Sequence, residues 1–140
     1  MKTVWHGLIC VSIVVLTGCG TVVNEPPPSD VPVSFSRDIQ PVLTANCAGC
    51  HSPGGAADLA GIEVFLREGE SYDLIVNRQS VQDPNWTIVK PGDPANSLLY
   101  LKVSSNNPPV GVRMPRFAPP LAPAQIDTIR RWIEEGAEDN

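Results

Sequence analysis

Five consecutive residues, Cys47-Ala48-Gly49-Cys50-His51, place two thiols and an imidazole at a spacing that can do chemistry. A Cys-x-x-Cys-His run is the attachment pattern of c-type haem. Two residues between the cysteines let both sulfurs reach the two vinyl groups on one edge of a porphyrin. His51 then lies under the iron, where its imidazole nitrogen can be a ligand. The sequence therefore predicts one haem c, bound through thioethers to Cys47 and Cys50, with His51 on the iron.

Other kinds of chemistry also use a Cys-x-x-Cys pair. A thioredoxin-like redox pair is expected between a strand and a helix, and residues 41–46 do not have the pattern of a strand. A zinc site needs about four ligands, whereas His51 is the only histidine besides His6. A disulfide suits an exported protein, but it leaves His51 without a role. These alternatives stay open at the level of the sequence.

A second axial ligand can be sought by elimination among the donors of the sequence. His6 and Met1 lie within residues 1–18, which we expect to be removed as a signal peptide. Met114 is the only other methionine. Lys90 and Lys102 are further candidates, but each must lose a proton before it can bind iron. We therefore expect Met114 to be the second iron ligand, with ordinary gap-filling packing as the alternative.

Composition limits the remaining function classes. The chain has 140 residues, a net charge of −5 and 42% hydrophobic residues, which is typical of one small domain. Because phosphate binding needs a basic surface, nucleic-acid binding is not expected. No nucleophile–base pair or carboxylate pair stands out, so we expect neither a small-molecule substrate nor an enzyme.

Arg113 and Arg116 flank Met114 and could meet haem carboxylates or an acidic partner, or could simply be solvated.

The N-terminal residues have the pattern of an export signal. Lys2 precedes an apolar run at residues 7–16 that is too short to span a bilayer. Leu16-Thr17-Gly18-Cys19 resembles the lipobox of bacterial lipoproteins, in which the cysteine becomes the lipidated first residue. The residue after the cysteine is Gly20 rather than an aspartate, which resembles the outer-membrane sorting signal of some bacteria. The resemblance implies a signal peptide at 1–18 and a lipid anchor on Cys19 that holds the protein at the periplasmic side of the outer membrane.

A proline-rich segment separates this signal from the remaining chain. Residues 19–34 contain Glu25-Pro26-Pro27-Pro28 and few apolar side chains, as expected for an extended tether. Residues 35–140 then form the predicted domain.

That domain resembles the class I cytochromes c, which have an N-terminal attachment motif and a Met-Pro ligand loop. The resemblance rests on the haem motif and four other stretches: Ser36–Leu43, Val89–Tyr100, Arg113-Met114-Pro115 and Trp132–Ala137. It implies an all-α fold of short helices and long loops around one haem. It also implies a carrier of single electrons between redox partner proteins; the alternative is a haem sensor or peroxidase-like protein with a displaceable methionine. One departure is the lack of an assignable proline whose carbonyl would accept the N–H of His51.

Apolar periodicity and capping residues predict where the helices lie. Ser36 and Asp38 suit the start of a helix over residues 36–45. Pro41 fits this helix only if it lies in the first turn or at a kink. Further helices are expected at Ser71–Val76, from Pro94 to about Val103 with Leu98, Leu99 and Leu101 as its apolar side, and from Pro123 to Gly136. Residues 62–67 fit a strand or a helix equally.

Overall fold

The structure of the protein, a computed structural model, describes residues 30–140. Within this range the chain contains four α-helices and no strand. The helices are α1 (Gln40–Asn46), α2 (Ser71–Ile75), α3 (Leu98–Ser104) and α4 (Pro123–Glu134). A π-helical turn, Phe35–Ile39, precedes α1, and short 3-10 turns lie at Asp58–Ala60 and Pro94–Asn96. This agrees with the predicted all-α class of short helices and long loops.

The predictions for residues 1–29, including the signal peptide, the proline run and lipidated Cys19, lie outside the described residues. Among residues 30–140, no helix has both the length and the apolar character needed to cross a membrane.

The first helical segment differs from the prediction at its start. Ser34, not Ser36, is the N-cap: its hydroxyl accepts the N–H of Arg37, and the Asp38 carboxylate accepts the N–H of Ser34 at 2.8 Å. Pro41 has no N–H for the i→i−4 ladder, and the chain widens just before it into the π-helical turn. Ser34 therefore belongs to the folded domain rather than to the tether, as does Val33, which is 2% exposed.

The C-terminal half follows the sequence signals more closely. α2 and α4 form at the predicted places, and Gly136 (φ +109°) ends α4, its N–H reaching the carbonyl of Ile133 at 3.1 Å. The helix predicted from Pro94 is instead divided: Ser97 is extended and buried, so α3 begins only at Leu98. Residues 62–67 form neither strand nor helix.

The core joins the two ends of the described chain. The ring of Phe35 packs against those of Tyr72 and Trp132, with centroids 5.1 and 5.2 Å apart. The buried stripe of α4 consists of Ile129, Trp132 and Ile133, which recur at helical spacing. The contact between α4 and the π-helical turn fixes the start of α1, and with it the position of the motif that follows.

Candidate haem site

The residues predicted to bind haem line one cavity of about 400 Å³. Cys47, Cys50, His51 and Met114 all contribute to its wall, although Met114 is distant from the others along the chain. The volume is within the range of about 300–1,000 Å³ that is usual for small-molecule and cofactor sites. Most of the other lining residues are apolar: Ala56, Ala57, Ala60, Ile62, Val64, Leu66, Ile75, Val81, Ile88, Leu98, Leu99, Val103, Pro115, Phe117 and Ala118.

The Cys-x-x-Cys-His motif forms a helical turn directly after α1. The N–H of Cys47 bonds to the carbonyl of Leu43 at 2.9 Å, which continues the ladder of α1. The N–H groups of Cys50 and His51 then bond to the carbonyl of Cys47 at 3.1 and 2.9 Å. This turn presents both thiols and the imidazole to the same cavity, as two thioethers and one axial ligand would require.

The loop after the motif approaches it closely. The carbonyl of Cys50 accepts the N–H of Ala57 at 3.1 Å. Gly55 lies directly against the same carbonyl, and a Cβ at this position would clash with it. The chain therefore needs glycine at residue 55 to fold back on the motif.

The orientation of His51 is set by a backbone carbonyl that the sequence analysis did not identify. The imidazole Nδ1 lies 3.1 Å from the carbonyl oxygen of Val64, and the tautomer that donates this hydrogen bond leaves Nε2 free for a metal. The N–H of Leu66 bonds to the carbonyl of His51 at 2.9 Å, so residues 64–66 hold the histidine at two points. The carbonyl of Val64 thus accepts the N–H of His51, the role for which no proline could be assigned from the sequence.

Electrostatics at the motif favour neutral side chains. Burial raises the pKa of the Cys47 thiol to about 11, with a smaller contribution from Cys50. A redox-active Cys-x-x-Cys pair has the opposite property, a lowered thiol pKa. Burial also lowers the pKa of His51; the hydrogen bond to Val64 opposes this shift, and the positive charge of Lys102 adds to it. A neutral imidazole is the form that binds a metal.

The alternative uses of the two cysteines find little support in this geometry. Cys47 and Cys50 are not joined by a disulfide. Across residues 30–140, no group of three or more His, Cys, Asp or Glu side chains is placed to hold a metal ion. Since a structural zinc site needs about four such ligands, the described residues do not form one.

Met114 reaches the cavity because its loop is attached to α3. The N–H of Met114 donates to the carbonyl of Lys102 at 2.7 Å, and the Met114–Pro115 peptide bond is cis. On α3, Leu98, Leu99, Lys102 and Val103 line the cavity, whereas Leu101, predicted to belong to the apolar side, does not.

The charged residues of the cavity wall fit a cofactor with an acidic edge. Within the described part of the chain, Lys102 and Arg116 are the only charged side chains that line the cavity, and both are cations. Asn46, Ser80 and Gln82 add polar groups. An apolar macrocycle that carries carboxylates matches this combination of an apolar wall and positive charge. Arg113, the other arginine beside Met114, does not line this cavity and donates a hydrogen bond to the side chain of Asn106.

Comparison with known proteins gives one partial similarity. The chain is 36% identical over 126 residues to hydrazine synthase subunit alpha of Kuenenia stuttgartiensis; the alignment covers 76% of this chain and 15% of that subunit. No protein-family model matches the chain, and no solved structure matches it. The similarity therefore concerns a small part of a much longer protein.

This similarity corrects one prediction from the sequence. The expectation that the chain is not an enzyme is wrong on this evidence, because the relative is, by its name, a subunit of a synthase. The prediction rested on the absence of a nucleophile–base pair or a carboxylate pair. A search for such pairs cannot detect similarity to one part of a longer enzyme subunit.

Proposed function

We propose that residues 35–140 form a haem c domain, similar to the class I cytochromes c, that transfers single electrons between redox partner proteins. The observation that carries this proposal is the convergence of Cys47, Cys50, His51 and Met114 on one apolar cavity. Each of the four has a chemically suitable role there. The positive charge of Lys102 and the hydrogen bond between His51 and Val64 add support.

Each side chain has a separate task in this proposal. Cys47 and Cys50 would hold the haem through two thioethers, and His51 would bind its iron through Nε2 while Nδ1 stays bonded to Val64. Met114 would supply a thioether sulfur from its own loop. When bound, haem supplies a one-electron change at its iron, and methionine ligation favours a higher reduction potential. With both His51 and Met114 bound to it, the iron would have no free position for a substrate.

Electron transfer also requires that one edge of the cavity is accessible to a partner. Cys50 is exposed, and Phe117, which also lines the cavity, is 86% exposed. A partner protein can therefore approach the cavity at these residues without opening the core. The similarity to hydrazine synthase subunit alpha favours an enzyme as the setting in which this domain works.

A redox titration tests the proposed function. We expect the chain, produced with haem c attached, to be low-spin in its oxidised form and to titrate reversibly as a one-electron couple. Carbon monoxide should not bind rapidly, because Met114 fills the sixth position. A high-spin iron that binds carbon monoxide or peroxide at once would instead favour the sensor or peroxidase-like function.

We also propose that the chain is anchored through lipidated Cys19 to the periplasmic face of the outer membrane. The support is the lipobox-like Leu16-Thr17-Gly18-Cys19 and the proline-rich segment that follows. Mass spectrometry of protein from native membranes should find a lipid-modified Cys19 as the first residue, and Cys19→Ala should abolish the modification. An unmodified N-terminus at another residue would contradict the anchor.

A further inference from the structure

Lys102 places a cation in the wall of a mainly apolar cavity. It lies on the face of α3 that carries Leu98, Leu99 and Val103. Its carbonyl accepts the N–H of Met114 at 2.7 Å. Its ammonium lies beside Gly111 (φ +61°), where a Cβ would be only 3.0 Å from Nζ. Lys102 therefore contacts the methionine loop at two points, and these contacts limit where its charge can lie.

This ammonium has no carboxylate partner among residues 30–140. Five other cations in that range form salt bridges with acidic side chains: Arg37, Arg67, Lys90, Arg130 and Arg131. Among residues 30–140, no acidic residue lines the cavity, and Arg116 is the other cation there. Burial lowers the pKa of Lys102, which reflects the cost of removing its charge from water. A partly buried cation without a counter-charge is costly unless a negative group occupies the space beside it.

We propose that Lys102 is the charge partner of a carboxylate on the haem edge, and that its positive charge stabilises the reduced state of the site. The inference rests on the proposed haem function and identifies the residue that compensates the acidic edge of the cofactor. Without Lys102 the carboxylate would be uncompensated. Its negative charge would then favour the oxidised iron, so the reduction potential would fall.

Charge-changing variants of the haem-loaded full chain test this inference. Lys102→Gln should lower the equilibrium constant for reduction about tenfold, which corresponds to about 59 mV for one electron. Lys102→Arg should restore a value close to that of the wild type, because it keeps the charge. The matched control is Lys90→Gln, which removes the same charge at an exposed site outside the cavity; it should change the constant less than twofold.

The outcomes separate this inference from the proposed function. A Lys102→Gln potential equal to that of the wild type would overturn the inference, as would a Lys102→Arg potential as low as that of Lys102→Gln. If Lys102→Gln does not fold, Lys102→Leu repeats the test with a side chain that suits the apolar wall. Whichever of these results is found for the variants, the wild type is expected to keep its low-spin, one-electron behaviour. Failure of the wild type to bind haem would instead reject the function itself.

Discussion

Replacing Met114 by alanine is expected to convert a low-spin protein that excludes carbon monoxide into one that binds it rapidly. Met114 is the one methionine that lines the cavity, and its loop is held against α3 by a hydrogen bond to Lys102. The variant should lose the weak sulfur-to-iron charge-transfer band. Its reduction potential should fall by about a tenth of a volt or more, since axial ligands set potentials over roughly 0.8 V. Absorption spectroscopy and a redox titration measure these changes.

Val112→Ala is a suitable control for this experiment. Val112 lies in the same loop, is 47% exposed and does not line the cavity. Its spectrum and potential should match those of the wild type. If Met114→Ala also leaves both unchanged, Met114 is a packing residue and the sixth ligand must be sought elsewhere.

Changing both Cys47 and Cys50 to alanine should abolish covalent attachment and remove most of the stability of the domain. Wild-type haem should stay with the protein after denaturation and acid–organic extraction, because thioethers are covalent bonds. Haem in the double variant should be extracted completely. Without haem, a residual cavity costs about 24 cal/mol per Å³. For a volume of about 400 Å³ the cost reaches ~10 kcal/mol as an upper value, comparable with the whole stability of a small domain.

Circular dichroism during heating measures this second effect. The haem-free double variant should lack a cooperative melt, whereas Ser52→Ala, a change next to the motif, should keep both the haem and the melt. A cooperative, native-like melt of the haem-free protein would show that the apolar residues around the cavity are sufficient for folding on their own.

The elements with strong local signals could be predicted from the sequence. α4 begins at Pro123 and is stopped by Gly136, and its buried side chains recur at helical spacing. The predicted start of the first helical segment at Ser36 is wrong, because Ser34 is the residue whose side chain accepts the N–H of Arg37. Residues 62–67 were ambiguous because long-range bonds, such as that from Leu66 to the carbonyl of His51, determine their conformation.

The candidate site shows the same division between local and long-range information. The spacing of Cys47, Cys50 and His51 is a short motif, and Met114 could be found by elimination. The carbonyl that accepts the hydrogen bond from His51 could not be predicted from the sequence. Every residue has a backbone carbonyl, so the residue type of Val64 does not indicate this role. Lys102 did leave a signal: it lies four residues after Leu98 on the same helical face. That signal becomes meaningful only when this face is known to line a cavity.

Intact and peptide mass spectrometry of the wild-type chain, produced with a haem c attachment system, tests the central claim most directly. The claim predicts that the mass increases by one haem and that the added mass lies on the peptide containing Cys47 and Cys50. Trypsin can release this peptide between Arg37 and Arg67. A peptide of unmodified mass, or one lighter by only the two hydrogens lost in a disulfide, would contradict the account.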